Sequence, residues 1–88
     1  MSKKGEIILR KPLRWFAEKM ELVLRKNDFK QHNTRNTVGY LFLRLSMERD
    51  ELLIELEKTT ESNNDKIIHE CCDVADFAMM IANMHREE

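Results

Sequence analysis

Residues 37–59 read TVGYLFLRLSMERDELLIELEKT, and their reading decides the fold. No proline and one glycine interrupt this stretch. At about 100° per residue, Val38, Leu41, Leu45, Leu52 and Leu56 fall on one stripe of a helix. Tyr40, Leu43, Met47 and Ile54 fall on a second stripe, on roughly the opposite side. A helix that is apolar on two sides is sandwiched between layers. Glu48 stands in the middle of the first stripe, between Leu45 and Leu52, with Glu51 on the same flank. A carboxylate on an apolar stripe is costly unless something compensates its charge.

Working outward, two further helices flank this one. Pro12 suits a first helical turn, where its missing N–H costs nothing. Leu13, Phe16, Ala17, Met20, Val23 and Leu24 then recur at helical spacing as far as Asn27-Asp28. The stretch NDFKQHNTRNT (27–37) has no period and reads as a loop. TTESNND (59–65) reads as a turn, with Ser62 or Asn64 as the helix cap. A third helix follows from Asp65 to His85, with Ile67, Cys71, Val74, Ala78 and Ile81 as its main stripe. Residues 1–11 form an arm, polar and then briefly apolar at Ile7, Ile8 and Leu9, and residues 12–88 form one helical domain. The expected class is all-α: three main helices that complete a bundle by homo-oligomerisation, as a dimer or tetramer. A chain of 88 residues buries a low fraction of its surface alone, which favours a second copy.

Composition narrows the function. Two glycines and one proline exclude a glycine-rich phosphate loop, a dinucleotide fingerprint and a turn-rich sandwich. No run approaches the ~18 apolar residues of a spanning helix, and no signal peptide opens the chain. Cys71 and Cys72 are adjacent, which disfavours a mutual bridge, so a reducing cytoplasmic setting is expected. Residues 1–35 hold ten Lys/Arg against four Asp/Glu; residues 36–88 hold five against twelve. The net charge of −1 and the lack of a helix-turn-helix pattern argue against nucleic acid as a partner.

The third helix repeats the device seen around Glu48. Glu70 and Asp73 are three residues apart, beside Val74 and Phe77, and so face one way. Two such helices packed antiparallel aim Glu48, Glu51, Glu70 and Asp73 at one point. Hard divalent cations take oxygen clusters of this kind, and Mg²⁺ does so while sharing substrate phosphates. The bland alternative is an acidic, solvated helix face, since Glu55 and Glu57 lie nearby.

MERDELLIELEK (47–58) and HECCDVADFAMMIANM (69–84), with eighteen residues between Glu51 and Glu70, resemble the Glu-x-x-Glu … Glu-x-x-Asp signature of the MazG-like, all-α nucleoside triphosphate pyrophosphohydrolases. PLRWFAEKMELVLRKNDFK (12–30) is similar to the first helix of the small, phage-type members. The resemblance covers residues 12–85. It implies a helical dimer or tetramer with sites between helices of partner subunits, Mg²⁺ as cofactor, and cleavage between the α and β phosphorus to give monophosphate and pyrophosphate. By the matching motif, Glu48, Glu51, Glu70 and Asp73 are the metal ligands and catalytic residues. Many members carry glutamate where this chain has Met47, and asparagine where it has Asp76. A sister activity on a similar scaffold is phosphoribosyl-ATP pyrophosphohydrolase; the DVADFAMMIANM segment is closer to the small MazG-like proteins.

Other residues have a functional and a plain reading. Trp15 either stacks on a base or fills an interface. Lys19, Lys30 and Arg35 either touch phosphates or are solvated, and His32 either meets a base or does nothing. Trp15, Lys19, Lys30 and His32 are the candidate substrate-binding set. His69 is expected to face solvent or a subunit. Cys71 and Cys72 diverge by about 100° on a helix, which does not suit a zinc site. Met79, Met80 and Met84 read as adaptable filler. The rival to an enzyme is a non-catalytic helical interaction module on the same scaffold.

Overall fold

A computed structural model describes residues 5–27, 37–58 and 63–86. They form three helices and, among the described residues, no strand: α1 (Lys11–Asn27), α2 (Val38–Glu57) and α3 (Asn64–Met84). The all-α class read from the periodicities is the class observed. Residues 6–10 are not helical, and Ile7, Ile8 and Leu9 are exposed.

Local chemistry sets the helix ends. Thr37 caps α2: its Oγ1 accepts from the Tyr40 N–H at 3.0 Å, satisfying one of the open donors of the first turn. At the other end, the Lys58 N–H reaches back to the Glu55 carbonyl at 3.3 Å. The α3 cap is Asn63, not Ser62 or Asn64, and its side chain does not cap its own helix. Its Nδ2 instead donates to the Glu55 carbonyl at 2.8 Å. A carbonyl freed at the end of α2 is thus satisfied from the start of α3, which pins the two helices together at their turn.

Helix α3 is central. It packs on α2 along one side and on α1 along the other, while α1 and α2 do not pack on each other. This arrangement shifts the buried lines away from the expected stripes. On α3 the buried positions are Glu70, Cys72 and Asp76; Ile67, Cys71, Val74 and Ile81 are half-buried, and Ala78 is exposed. On α1, Val23 is buried, Phe16, Met20 and Leu24 are half-buried, and Leu13 and Ala17 are exposed. On α2, Leu41, Glu48 and Glu55 are buried, Leu45 and Leu52 half-buried, and Val38 and Leu56 exposed. The second stripe of α2 has no cover: Tyr40, Leu43, Met47 and Ile54 are all exposed.

The interior is therefore small. Val23, Leu41 and Cys72 are the buried apolar residues among those described, against four buried carboxylates: Glu48, Glu55, Glu70 and Asp76. Sixteen large apolar side chains among the described residues are exposed. The radius of gyration, 15.3 Å, exceeds the ~12 Å of a compact chain of this length. No helix among the described residues is long and apolar enough to cross a membrane.

Candidate metal centre

The α2–α3 pairing brings the expected carboxylates together, in two overlapping groups. Glu48, Glu51 and Glu70 each offer an oxygen, and these oxygens lie within 4.8 Å of one another. His69, Glu70 and Asp73 offer a ring nitrogen and two carboxylate oxygens, also within 4.8 Å of one another. Glu70 belongs to both. Glu48 and Glu70 are buried, Asp73 is half-buried and Glu51 is exposed, so the cluster runs from the helix interface toward solvent.

The register explains the convergence. Glu48 lies one helical repeat from both Leu41 and Glu55, the other buried positions of α2, so its side chain enters the α2–α3 contact. Glu70 and Asp73 are on the side of α3 that meets α2, with Phe77 one turn on. Arg44, one turn before Glu48, reaches into the same contact. Its Nη2 donates to Glu48 Oε2 at 3.0 Å and its Nη1 to the Tyr40 hydroxyl at 3.5 Å. Its guanidinium lies over the Phe77 ring, 5.2 Å from the centroid. Hydrogen bonds to Tyr40 and Glu48 hold the Arg44 pKa above its ordinary value. Arg44 thus fixes the Glu48 carboxylate and braces α2 on α3.

The electrostatics differ at Glu70. Burial raises its pKa first, and the negative fields of Asp73, Glu51 and Glu48 add to it, with His69 opposing. Glu70 Oε1 is buried with no hydrogen-bond partner. Burial also raises Asp73, against which His69 acts from 3.4 Å (Nδ1 to Oδ2). A buried acceptor without a donor is expensive. A cation seated among these oxygens supplies what the polypeptide does not, and the donor set of acidic oxygens suits Mg²⁺.

A further buried carboxylate lies one turn past Asp73, toward α1. Asp76 is 4% exposed, and neither of its oxygens has a partner. Burial, then Asp73 and Glu21 of α1, push its pKa up to about 6. Next to it, Cys72 is fully buried, and its thiol pKa is raised by burial and by Asp76 and Asp73. Between α1 and α3 an open groove of about 590 Å³ is floored by Leu22, Val23, Ile68 and Cys72 and rimmed by Lys19, Arg25 and Lys26.

The candidate substrate set is only partly placed. Trp15 is half exposed on α1, with the Lys19 ammonium 5.9 Å from its ring centroid and the Phe16 ring 6.2 Å away. Lys19 borders the α1–α3 groove and not the carboxylate cluster. Lys30, His32 and Arg35 lie outside the described residues. The two cysteines are both free, one half-buried and one buried. Sequence reasoning passed over Arg44 and set His69 aside. The i,i+4 spacings Arg44–Glu48 and His69–Asp73 were the available signal.

No family model, curated protein or solved structure matches this chain.

Proposed function

We propose that this chain is a Mg²⁺-dependent nucleoside triphosphate pyrophosphohydrolase of the MazG-like kind, working as a homo-oligomer. The observation that carries the reading is Glu70: buried, one oxygen without a partner, and drawn up to Glu48 and Glu51 on the facing helix, where burial and the neighbouring carboxylates raise its pKa.

Glu48, Glu51, Glu70 and Asp73 are the residues that would hold Mg²⁺. Bound there, the ion supplies charge neutralisation for a polyphosphate and acidifies water. The chain's own side chains do the rest. Arg44 keeps Glu48 in place, which preserves the cluster's geometry. His69 steadies Asp73 from one turn away. No glycine-rich loop is present to cradle phosphates, so triphosphate recognition falls to Lys and Arg side chains together with the cation. In the proposed reaction, water bonds to the α phosphorus and gives up a proton to solvent, the bond from the α phosphorus to the bridging oxygen breaks, and pyrophosphate leaves with that electron pair.

Oligomerisation belongs to the same reading. Four buried carboxylates and three buried apolar side chains make a poor interior for a lone chain, and the uncovered stripe of α2 gives a second copy an apolar face to pack on. Those exposed apolar residues also favour a second reading, a helical interaction module without catalysis. A nucleotide panel separates the two. With Mg²⁺, the enzyme reading expects pyrophosphate and monophosphate as products and no orthophosphate. An oligomer that turns over no nucleotide in the panel leaves the module. A cooperatively folded monomer by light scattering at micromolar concentration overturns the assembly.

A further inference from the structure

The carboxylate cluster holds a residue that a Mg²⁺ site does not need. His69, Glu70 and Asp73 converge to within 4.8 Å, separately from the Glu48–Glu51–Glu70 group. All three come from one stretch of α3, at positions i, i+1 and i+4. One helix therefore sets their spacing, whereas the other group depends on α2 meeting α3. The imidazole Nδ1 already points at Asp73 Oδ2, 3.4 Å away. Glu70 is more than nine-tenths buried, and its Oε1 has no partner. An acidic pair alone would not mark a site; an imidazole and an orphaned carboxylate oxygen in the same cluster do.

We propose that His69, Glu70 and Asp73 form a second cation seat, selective for a first-row transition ion, with Glu70 and Asp73 shared between it and the Mg²⁺ seat they form with Glu48 and Glu51. The donor chemistry gives the selectivity. Imidazole nitrogen suits Mn²⁺, Co²⁺, Ni²⁺ and Zn²⁺ in rising preference toward the later ions, while Mg²⁺ prefers oxygen ligands alone. A cation here takes the place of the His69–Asp73 ion pair, and leaves coordination positions open to water or a ligand. The inference builds on the carboxylate site of the proposed function, but needs no nucleotide and no turnover.

Co²⁺ is the probe, titrated calorimetrically and by proton NMR into tag-free protein without nucleotide. The wild type is expected to show hyperfine-shifted imidazole protons that vanish in His69→Gln and persist in His85→Gln. His69→Gln is expected to weaken Co²⁺ by at least the roughly tenfold that losing even an outer-shell partner brings. Its Mg²⁺ affinity should fall less than its Co²⁺ affinity, since Mg²⁺ has little use for nitrogen and loses only the His69–Asp73 contact. Glu51→Gln should do the reverse, and Glu70→Gln should weaken both ions. Helicity by circular dichroism verifies that each variant is folded; His69 is partly exposed, so its replacement leaves the packing intact. Co²⁺ affinity unchanged in His69→Gln overturns the second seat, even if Mg²⁺ supports turnover. His69-dependent Co²⁺ binding in a protein that hydrolyses no nucleotide retains the seat and overturns only the enzyme reading.

Discussion

Glu55 and Glu70 are both buried carboxylates at the α2–α3 contact, and the chain treats them in opposite ways. At the end of α2, Lys58 Nζ sits 2.9 Å from Glu55 Oε2, and Lys66 adds its field from α3. The Lys58 hydrogen bond outweighs burial, and the Glu55 pKa falls below its ordinary value. At Glu70 no side-chain cation bonds the carboxylate, and its pKa rises. Each keeps one buried oxygen without a partner, so the contrast lies at the other oxygen, which at Glu55 accepts from Lys58. The lesson is that burial alone does not mark a functional carboxylate. Glu55 carries its cation within three residues of sequence; at Glu70 the proposed function gives that role to Mg²⁺.

The largest expected effect tests that contrast through turnover. Glu70→Gln should lower Mg²⁺-dependent pyrophosphate release by at least about a hundredfold, because a misplaced ion loses both water activation and charge stabilisation. Asp73→Asn, which keeps the shape, should cost about tenfold or more. Glu55→Gln should stay within about twofold of wild type, as it touches no part of the site. Equal losses in Glu55→Gln and Glu70→Gln would erase the distinction.

Next in size is the response to metal. At about a hundred times its dissociation constant, Mg²⁺ should add about 2.7 kcal/mol to wild-type stability by mass action. Glu70→Gln should lose most of that gain, while Glu55→Gln keeps it. A denaturant midpoint in wild type that ignores Mg²⁺ would remove the shared site.

The third effect concerns pH in the metal-free protein. Asp76 titrates at about 6 when folded and near 3.8 when unfolded. Between these values the folded chain binds more protons, so its stability falls as pH rises. Asp76→Asn should therefore stabilise the protein at pH 7 by roughly 1–2 kcal/mol, the full shift being discounted for screening by nearby water. The gain should vanish below about pH 4, where both states of Asp76 are protonated. Denaturant midpoints measured from pH 4 to 8 give the test, and a gain that does not change with pH would point to packing instead of charge.

The smallest effect sits at Glu55 and has the opposite sign. Its lowered pKa gives stability that is present above the ordinary value of 4.5 and is lost as pH falls through the folded value. Lys58→Met should slightly lower the midpoint at pH 7, and added salt should narrow its gap from wild type. A loss in Lys58→Met that rivals the Asp76→Asn gain would mean that Glu55 leans on its partner more than an exposed lysine allows.

The helices were legible because each carries an unbroken apolar period, and because Pro12 and Thr37 sit where a helix can begin. Glu48 was legible as a candidate because it interrupts a stripe of leucines. What sequence could not supply was the central place of α3. A helix packed by two neighbours has two buried lines, and the line through Cys72 and Asp76 is invisible to a search for one apolar stripe. The same limit hid Asn63, whose side chain answers a carbonyl of the preceding helix. That bond depends on the angle between α2 and α3, which no local spacing encodes. Arg44 and His69 were visible as i,i+4 partners, but helix surfaces hold many such pairs, and only the burial of the carboxylates they face, Glu48 and Asp73, singles these two out.

Cys72 gives the packing of α1 a clock. It is fully buried under the α1–α3 contact and its thiolate is disfavoured, whereas Cys71, its neighbour, is half-buried. A thiol reagent therefore meets two populations on one helix. Cys71 reports ordinary chemical reactivity, and Cys72 reacts only during the fraction of time that α1 lifts away. Since α1 touches no helix but α3 among the described residues, the ratio of the two modification rates reads the opening equilibrium of that single contact. The adjacent cysteines act as an internal stopwatch, one hand of which runs only while the first helix is detached.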